Sequence, residues 1–287
     1  MLHTPLPAWL DSIRPTLCPP VCNRMLYASP TGLQVMVVGG PNERSDFHVE
    51  SGEEFFLQLS GGMVLRVEEG GVLRDIPIQE GEGFLLPPHI PHSPQRFAGT
   101  MGLVLERARS EGDGLDGLRW YTADGKGVLY EETFHCTDLA TQLGPVIARF
   151  KASEQARTGL PDPAAQPSPL AIDRGRALGH ACALAAWPAA ATQQQQPAKA
   201  AIQVQVATGA GAREVAMGRA DAFLYLLKGT CAVQALCSSG EGEGPALQQL
   251  AAGDTLVVPA TLPGGKAVSA LQCTFPDPDT LCLIVLY

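Results

Sequence analysis

The stretches Phe55-Phe-Leu-Gln-Leu-Ser-Gly61 and Gly81-Glu-Gly-Phe-Leu-Leu-Pro87-Pro88 decide the fold class of this chain. Each is a short apolar run that ends at glycine or proline, as buried strands between turns do. Similar runs recur at intervals of about 8–12 residues between Leu33 and Tyr130, a spacing typical of an all-β sandwich or barrel. The predicted strands cover residues 33–38, 55–59, 63–68, 74–78, 83–86, 101–106 and 118–121.

An internal repeat links the two halves of the chain. Phe223-Leu-Tyr-Leu-Leu-Lys-Gly229 matches the first stretch, and Gly253-Asp-Thr-Leu-Val-Val-Pro259-Ala matches the second. A repeated pattern of strands and turns predicts a second copy of the same fold. Three polar positions of the first copy align with small residues in the second: Glu54 with Ala222, His48 with a position near Ala216, and His92 with Gly264. We therefore assign the second copy a structural role.

The predicted organisation is two all-β domains joined by a partly helical linker. Residues 1–156 form the first domain, which opens with a short amphipathic helix over 7–17 and ends in a helix over 139–150. Pro145 is expected to kink or split that last helix, and Thr137-Asp138 to cap it. Residues 157–201 are rich in Pro, Ala and Gln and form a partly mobile linker with a helix over 171–186. Residues 202–287 form the second domain.

Composition narrows the class of protein. The 287 residues carry a formal net charge of −9, which argues against nucleic acid and an anionic membrane surface as partners. No apolar run reaches the roughly 18 residues of a membrane span, and the N-terminus lacks the apolar core of a signal peptide. The eight cysteines form no C-x-x-C pair, so we expect reduced thiols in a cytoplasmic protein.

His48, Glu54 and His92 are the candidate metal ligands. Two imidazoles and one carboxylate make the ligand set of non-haem Fe(II) enzymes, which leaves positions open for oxygen and substrate. Gly52 provides a turn between His48 and Glu54, and His92 opens a strand after a proline-rich turn, so a small β-barrel can aim all three side chains inward. Taken singly, a histidine beside a strand is more often a surface or hydrogen-bonded group, and Glu54 part of an ordinary acidic turn.

Two spaced motifs resemble the paired motifs of cupins. They are His48-x-Glu50-x3-Glu54-x6-Gly61 and Gly81-x5-Pro87-x4-His92-x3-Arg96. The chain departs from the commonest cupin pattern at Glu50, where many cupins carry a second histidine ligand, and at Arg96, where they often carry Asn. The resemblance implies a bicupin of two small jelly-roll barrels. The two departures suit a three-ligand metal site with a cation that faces the substrate.

Further motifs narrow the resemblance. They are Pro20-Val-Cys-Asn23, Val38-Gly-Gly-Pro-Asn-Glu-Arg44, Asp46-Phe-His48, Gly52-Glu-Glu-Phe-Phe56, Phe84-Leu-Leu-Pro-Pro88, Pro91-His-Ser-Pro-Gln-Arg-Phe97, Val104-Leu-Glu-Arg107 and Leu115-Asp-Gly-Leu-Arg-Trp-Tyr121. In this order they resemble the 3-hydroxyanthranilate 3,4-dioxygenase family, in its two-domain animal-type form. The resemblance covers about residues 10–160. It implies Fe(II) held by His48, Glu54 and His92.

The resemblance also implies a reaction. Members of this family carry out extradiol cleavage of 3-hydroxyanthranilate by O2, which yields 2-amino-3-carboxymuconate semialdehyde on the kynurenine route to quinolinate and NAD. The expected partners are therefore this small aromatic substrate and O2, with no nucleic acid and no membrane. Because two joined cupin halves can mimic a cupin dimer, we expect a monomer.

The resemblance implies roles in substrate binding for four residues that are not metal ligands. It also implies that the ligand Glu54 contacts the substrate. Arg44 and Arg96 fall on cationic positions of the family, and Arg96 can grip a substrate carboxylate bidentately. Arg44 is suited to stabilise charge that develops on oxygen. Glu106 falls on the active-site carboxylate and can accept a proton. Asn23 falls on a loop that approaches the substrate.

Several alternatives remain open from the residues alone. Arg44 or Arg96 could be a surface side chain or part of a structural ion pair, and Glu106 could pair with Arg107 or Arg109. A cupin isomerase or lyase that acts on a small carboxylate without redox chemistry would more often keep four ligands. A metal-free binding or storage bicupin explains the second copy but not the ligand set of the first. Oxygen consumption and metal analysis separate these classes.

Overall fold

The computed structural model describes residues 1–19, 22–28, 32–109, 112–137, 139–187, 201–237 and 246–287. These residues form two compact units. The N-terminal unit comprises the described residues of Pro15–Ala28 and Gln34–Ala183, and the C-terminal unit those of Met1–Arg14, 32–33 and Leu184–Tyr287. The glutamine run at 193–196 in the predicted linker lies outside the described residues.

The N-terminal unit consists of two facing six-stranded sheets. Strands are numbered in chain order. In spatial order, the first sheet contains β13 (Cys182–Ala183), β8 (Glu82–Leu86), β5 (Glu54–Ser60), β10 (Met101–Arg107), β3 (Leu33–Gly39) and β2 (Asn23–Ala28). The second sheet contains β12 (Val128–Phe134), β11 (Asp116–Tyr121), β4 (Phe47–Val49), β9 (His92–Arg96), β6 (Met63–Glu69) and β7 (Val72–Ile78).

Apolar side chains from both sheets fill the space between them. On β6, Met63, Leu65 and Val67 are buried, whereas the intervening Arg66 is exposed, as expected of a strand with one inner face. They meet Phe56 and other apolar side chains of the first sheet in one core. Full burial of each such side chain contributes about 1.5–3 kcal/mol to folding. The core therefore sets the distance between the two sheets. The polar residues that point inward lie in the space between these sheets.

The C-terminal unit repeats this architecture with two five-stranded sheets. In spatial order, the first sheet contains β1 (Leu2–Pro5), β19 (Asp254–Val258), β16 (Ala222–Lys228), β22 (Leu281–Leu286) and β14 (Gln203–Thr208). The second contains β15 (Gly211–Ala216), β21 (Lys266–Phe275), β17 (Thr230–Cys237) and β18 (Gln248–Ala251), with β20 (Thr261–Leu262) paired to β21.

The two units share their strand order. The order β8-β5-β10-β3 in one sheet of the N-terminal unit recurs as β19-β16-β22-β14 in the C-terminal unit. The strands that carry the repeated motifs therefore occupy equivalent places in the two units. The all-β class predicted from the sequence is confirmed.

The predicted barrels are not closed. Among the described residues, the strand pairings of each unit form separate sheets, so each unit is a sandwich with open edges.

The first residues of the chain belong to the C-terminal unit, unlike the predicted boundary of 1–156. In β1, Leu2 pairs with Val257 and Pro5 with Asp254 of β19. This pairing covers what would otherwise be an open sheet edge. The following helix α1 (Leu6–Ile13) and the 3₁₀ turn Arg14–Thr16 agree with the helix predicted over 7–17.

The helices after the strands of the N-terminal unit are α2 (Leu139–Ala152) and α3 (Glu154–Thr158). α2 continues through Pro145 without a split. The proline is exposed, while Leu143 before it and Val146 after it are buried and pack into the same apolar cluster. Asp138 of the predicted cap lies outside the described residues. In the described chain, the helices are too short or too polar to cross a membrane.

The helix predicted over 171–186 is wrong, since residues 171–181 form neither helix nor strand and are followed by β13 (Cys182–Ala183) and the 3₁₀ turn Leu184–Ala186. Arg74 on β7 donates to the carbonyl of Gly179 at 2.7 Å, and Glu69 on β6 accepts from the backbone N–H of Leu178 at 2.5 Å. The side chains of the neighbouring strands therefore satisfy backbone groups that a helix would pair internally. Within the predicted linker, residues up to 183 are part of the N-terminal unit.

We expect Gly40→Ala to destabilise the N-terminal unit. A Cβ at this position would overlap the backbone carbonyl oxygen of Phe97 and lie 2.8 Å from Thr100 Oγ1, so the chain must shift. The expected loss is about 1–3 kcal/mol in the free energy of unfolding, as for other overpacked sites. Gly144→Ala in α2 is the matched control, because nothing lies near its Cβ and alanine favours a helix by up to about 1 kcal/mol. Urea unfolding measures the free energy of unfolding of both variants. Equal stability of Gly40→Ala and Gly144→Ala would contradict this account.

Candidate metal centre and substrate cavity

His48 and His92 are direct partners across two neighbouring strands. β4 and β9 run antiparallel with His48 opposite His92. Both side chains lie on the inner face, with 4% and 2% of their surface exposed, and their ring centroids are 5.4 Å apart. Because opposite residues of an antiparallel pair have close Cβ atoms, the strand register alone sets this separation.

Glu54 approaches the two histidines from the facing sheet. It is the first residue of β5, directly after the turn that contains Gly52. One carboxylate oxygen, Oε1, lies 3.9 Å from His48 Nδ1, and the other, Oε2, lies 3.4 Å from His92 Nε2. The structure thus brings together the three residues that the sequence predicts as a group.

Glu50 joins the same group. One donor atom from each of His48, Glu50, Glu54 and His92 can be chosen so that all four lie within 4.8 Å of one another. The Oε1 atom of Glu50 lies 3.9 Å from His48 Nδ1, while its Oε2 forms an ion pair with Arg109. Sequence analysis treated Glu50 only as a departure from a cupin pattern. Its spacing of two residues from His48 was the available signal, since such residues share one face of a strand.

Hydrogen bonds orient both imidazole rings. His48 Nε2 lies 2.9 Å from Asp116 Oδ2, and His92 Nδ1 lies 3.0 Å from the carbonyl oxygen of Ile90. The ring nitrogens without these bonds are the ones that face Glu54. Metal-binding histidines usually have such a partner on the second nitrogen, which fixes the tautomer and ring orientation. Asp116 was not among the site residues predicted from the sequence.

The electrostatics of the group favour the metal-binding protonation states of His48 and Glu54, whereas they favour the protonated form of His92, which must release a proton to bind a metal. Burial lowers the pKa of His48 and outweighs its bond to Asp116, so the neutral imidazole is favoured. Burial raises the pKa of Glu54, but His92, Glu50 and His48 together bring this pKa well below its ordinary value. For His92, the carboxylate of Glu54 outweighs burial and raises the pKa. A neutral imidazole and an ionised carboxylate are ligands without further proton loss.

The donor set fits a divalent transition metal. Two imidazole nitrogens and a carboxylate from Glu54 converge in a buried space, and these are ligands that suit iron and its neighbours in the first transition row. In the part of the chain that the structure describes, no other set of three or more His, Cys, Asp or Glu side chains converges in this way. The group therefore has the composition of a metal site.

A cavity of about 520 Å³, including its mouth, lies beside this group. Its polar lining comes from Asn23, Asn42, Arg44 and Arg96. Its apolar lining comes from Met36, Val38, Phe56, Pro94, Val104, Leu139 and Leu143. The last two residues belong to α2, so a helix that sequence analysis did not connect with the site forms part of its wall.

Arg96 supplies a buried cation to this cavity. It follows His92 on β9, and both side chains line the cavity, which confirms the predicted shared face. Its Nη1 atom donates to Gln58 Oε1 at 2.9 Å, whereas its Nε has no hydrogen-bond partner among the described residues. Burial lowers the pKa of this guanidinium to about 10, so it is still charged at neutral pH. A buried cation with an unused donor suits an anionic group on a ligand.

Arg44 also lines the cavity, but a neighbouring carboxylate holds it. Its Nε and Nη2 atoms both donate to Asp46, at 3.1 and 2.5 Å from Oδ2, and both side chains are almost fully buried. Asn42, in the same loop, accepts from the backbone N–H of Arg96 at 2.9 Å and donates to the carbonyl of Pro94 at 2.7 Å. The loop is therefore fixed to β9, and the cation of Arg44 has a defined place.

Glu106 faces a second cavity rather than the first. It lies opposite Glu54 in the β10–β5 pair, and its Oε2 atom is 3.0 Å from Arg109 Nη1. The second cavity shares Asn23 with the first. Burial raises the pKa of Glu106 to about 7 despite the nearby guanidinium. Of the alternatives open from the sequence, the pair with Arg109 is present.

Comparison with known proteins places the chain in context. The sequence profile of a family described as 3-hydroxyanthranilic acid dioxygenase matches residues 2–151. A 3-hydroxyanthranilate 3,4-dioxygenase of Rattus norvegicus is 43% identical over 264 residues, which are 88% of this chain and 87% of that protein. The protein of the same name from Homo sapiens is 44% identical over 79% of this chain and 81% of its own length.

Two further matches are partial or distant. The 3-hydroxyanthranilate 3,4-dioxygenase of Mus musculus is 56% identical over 156 residues, and this match spans 54% of each protein, about half the length of the relative. Among solved structures, a mutant of oxalate decarboxylase from Bacillus subtilis aligns with 94% of this chain and 74% of its own, with a TM-score of 0.49 and 15% identity.

We expect Gly102→Ala to disturb the support of Arg96. A Cβ on Gly102 would overlap Gln58 Oε1 and lie 2.9 Å from Arg96 Nη1. The expected cost is about 1–3 kcal/mol in the free energy of unfolding. The backbone oxygen of Leu57 also lies 2.9 Å from this Cβ, so a side-chain shift alone does not make room. Gly114→Ala, whose Cβ would meet nothing within 4 Å, is the control. Chemical denaturation that found Gly102→Ala as stable as the control would contradict this packing.

Proposed function

The chain belongs to the 3-hydroxyanthranilic acid dioxygenase family, and we propose that it cleaves 3-hydroxyanthranilate with O2 as an Fe(II)-dependent extradiol dioxygenase. The proposed product is 2-amino-3-carboxymuconate semialdehyde, on the kynurenine route to quinolinate and NAD. One observation carries the proposal beyond family membership. The buried guanidinium of Arg96, with an unused Nε donor, lines the same cavity as the His48 and Glu54 donor group.

We propose His48, Glu54 and His92 as the ligands of Fe(II). Their nitrogen and carboxylate donors match the ligand set of iron enzymes that leave positions open for oxygen and substrate. Bound iron supplies the redox chemistry that lets O2 react with the aromatic ring. The outer bonds from Asp116 to His48 and from Ile90 to His92 support this assignment, because they hold each ring with one nitrogen free.

The cavity walls bind and orient the substrate in this proposal. Arg96 donates from Nε to the substrate carboxylate, in a charge-assisted bond that water does not screen. Arg44, held by Asp46, contributes a fixed positive charge where charge develops on oxygen. Phe56 and Leu143 pack against the ring and exclude water. Asn23 provides a polar group at the border of the two cavities.

Glu106 is the proposed proton acceptor. Its pKa of about 7 lies close to neutral pH, where a general base is most effective. Its Oε1 atom has no hydrogen-bond partner among the described residues, while Oε2 lies 3.0 Å from Arg109. Glu106 lines the second cavity, so in the proposed reaction Oε1 accepts the proton of the substrate hydroxyl or amino group from that side, where the two cavities share Asn23. Arg109 keeps the carboxylate in place.

One observation favours a second candidate function. Glu50 lies within the donor group, so the site holds four potential ligands rather than three. Four ligands are more usual in cupin enzymes that use a metal without redox chemistry, such as isomerases and lyases of small carboxylates. Consumption of oxygen during turnover separates this candidate from the dioxygenase.

For the C-terminal unit we propose a structural role as a cupin without a metal. Ala222 opens β16 at the place where Glu54 opens β5, so the equivalent strand begins without a ligand. We further propose that the protein is a monomer and cytoplasmic. The eight cysteines are all free thiols, which supports a reducing compartment.

Anaerobic loading with Fe(II), followed by addition of 3-hydroxyanthranilate in aerated buffer, tests the function. We expect oxygen uptake and about one iron per chain. His92→Ala removes a ligand, so both iron content and uptake should be lost, whereas the control His135→Ala, an exposed histidine, should retain both. Iron bound without oxygen uptake would exclude the dioxygenase. Full iron content and full turnover in His92→Ala would show that the ligand assignment is wrong.

Arg96→Met should weaken substrate binding more than it slows chemistry. Loss of a buried bond to a charged group costs about 1.5–3 kcal/mol, which is roughly a ten- to hundredfold rise in KM. Arg66→Met, an exposed arginine on neighbouring β6 that pairs with Asp75, is the matched control. Steady-state oxygen uptake measures both constants. An unchanged KM in Arg96→Met would remove this residue from the substrate site.

A further inference from the structure

The guanidinium of Arg109 contacts three buried carboxylates around the donor group. Its Nη2 atom pairs with Glu50 Oε2 and lies 3.2 Å from Asp116 Oδ2, and its Nη1 atom lies 3.0 Å from Glu106 Oε2. From the sequence, Arg109 was expected only as one possible partner of Glu106. Its contacts with Glu50 and Asp116 have no place in the proposed reaction. They therefore call for a separate explanation.

We infer that Arg109 is a positioning residue, and that its ion pair keeps Glu50 from becoming a fourth metal ligand. This inference rests on the metal site of the proposed function. It concerns the number of ligands, not the identity of the three already named. Arg109 would thereby decide whether the metal has positions open for oxygen and substrate.

Glu50 has the reach and the freedom to bind a metal. Its Oε1 atom lies 3.9 Å from His48 Nδ1, the same distance that separates this nitrogen from Glu54 Oε1. The carboxylate is 3% exposed, and apart from its contact with the carboxylate of Glu54, neither of its oxygens has a hydrogen bond of good geometry among the described residues. A buried oxygen without such a bond is a ready ligand for a cation. The ion pair with Arg109 is the restraint that directs Oε2 away from the group.

The chemistry of arginine suits this restraint. A guanidinium is a donor only, it remains charged at any physiological pH, and its planar fork can hold several oxygens at once. It attracts Glu50 Oε2 whether or not that carboxyl carries a proton, so the restraint needs no change of protonation. A site with three ligands and open positions binds reactants, whereas closed coordination is typical of structural metal sites.

Arg109 reaches the donor group by a second route. It lies 3.2 Å from Asp116 Oδ2, and the same oxygen is 2.9 Å from His48 Nε2. The guanidinium therefore helps to fix the orientation of His48 through Asp116. At the same time, its ion pair keeps the carboxylate of Glu50 away from the metal position. Both contacts act on β4, since His48 belongs to this strand and Glu50 follows it directly.

Metal affinity gives the first test. Co(II) binding to the purified full-length chain is titrated for Glu50→Gln and Glu54→Gln. We expect Glu54→Gln to lose Co(II) affinity by about 100-fold or more, and Glu50→Gln to change it by less than the roughly tenfold that loss of an outer partner costs. If Glu50→Gln weakens Co(II) binding as much as Glu54→Gln does, Glu50 is already a ligand and the inference is wrong.

Coordination number gives the second test. In Arg109→Gln, the released Glu50 should enter the coordination sphere, so the visible absorption of bound Co(II) weakens as the coordination number rises. Oxygen uptake of the Fe(II)-loaded variant should fall about 10- to 100-fold. Arg107→Gln is the matched control, because Arg107 pairs with Asp113 instead. The double variant Arg109→Gln/Glu50→Gln should regain the wild-type spectrum, which a merely structural role for Arg109 would not produce.

The outcomes separate this inference from the proposed function. A Co(II) spectrum of Arg109→Gln equal to that of Arg107→Gln, or a double variant that fails to regain the wild-type spectrum, overturns the inference. If Arg109→Gln does not fold, the comparison of Glu50→Gln with Glu54→Gln decides the question alone. If the wild type binds iron without oxygen uptake while the Co(II) results are as expected, the proposed function fails and the role of Arg109 stands.

Discussion

Buried charge that must be balanced is the constraint on which the N-terminal unit depends. A single guanidinium, that of Arg109, lies among the carboxylates of Glu50, Glu106 and Asp116. An unpaired buried ion costs several kcal/mol, so the positions of these acids are set together rather than one by one. Because Asp116 also bonds to His48, the donor group and the surrounding strands form one electrostatic unit. The stability and the chemistry of this region therefore cannot be separated residue by residue.

Local sequence signals were enough for seven strands of the N-terminal unit, namely β3, β5, β6, β7, β8, β10 and β11, and the family resemblance for the three convergent donors. Alternation of apolar residues and the turns at Gly61 and Gly81 act over a few residues, and the structure follows them. The spacing from His92 to Arg96 likewise depends only on the period of a strand. The contacts of Arg109 with Glu50 and Asp116, and of Asp116 with His48, escaped prediction for the opposite reason. Arg109 and Asp116 reach the site from a loop and from β11, and their contacts depend on which strands become neighbours.

The segments that were predicted wrongly show where tertiary contacts outweigh local preference. Residues 171–186 were predicted to contain a helix, yet Arg74 and Glu69 form hydrogen bonds with the backbone of Gly179 and Leu178, and no α-helix forms there. Pro145 was expected to interrupt α2, yet the packing of Leu143 and Val146 carries the helix through it. Tertiary contacts therefore determined the conformation of both segments. The helix propensities of single residues carry no information about such contacts.

The pairing of β1 with β19 has a consequence for how the C-terminal unit folds. Residues 2–5 meet residues 254–257, so this pair joins segments about 250 residues apart along the chain. Strand β19 pairs on its other side with β16, which is only about 30 residues away. Because contacts between distant residues form slowly, we expect the β16–β19 pair to form before β1 docks. Until β1 docks, the backbone groups of β19 form an exposed edge that another chain can pair with.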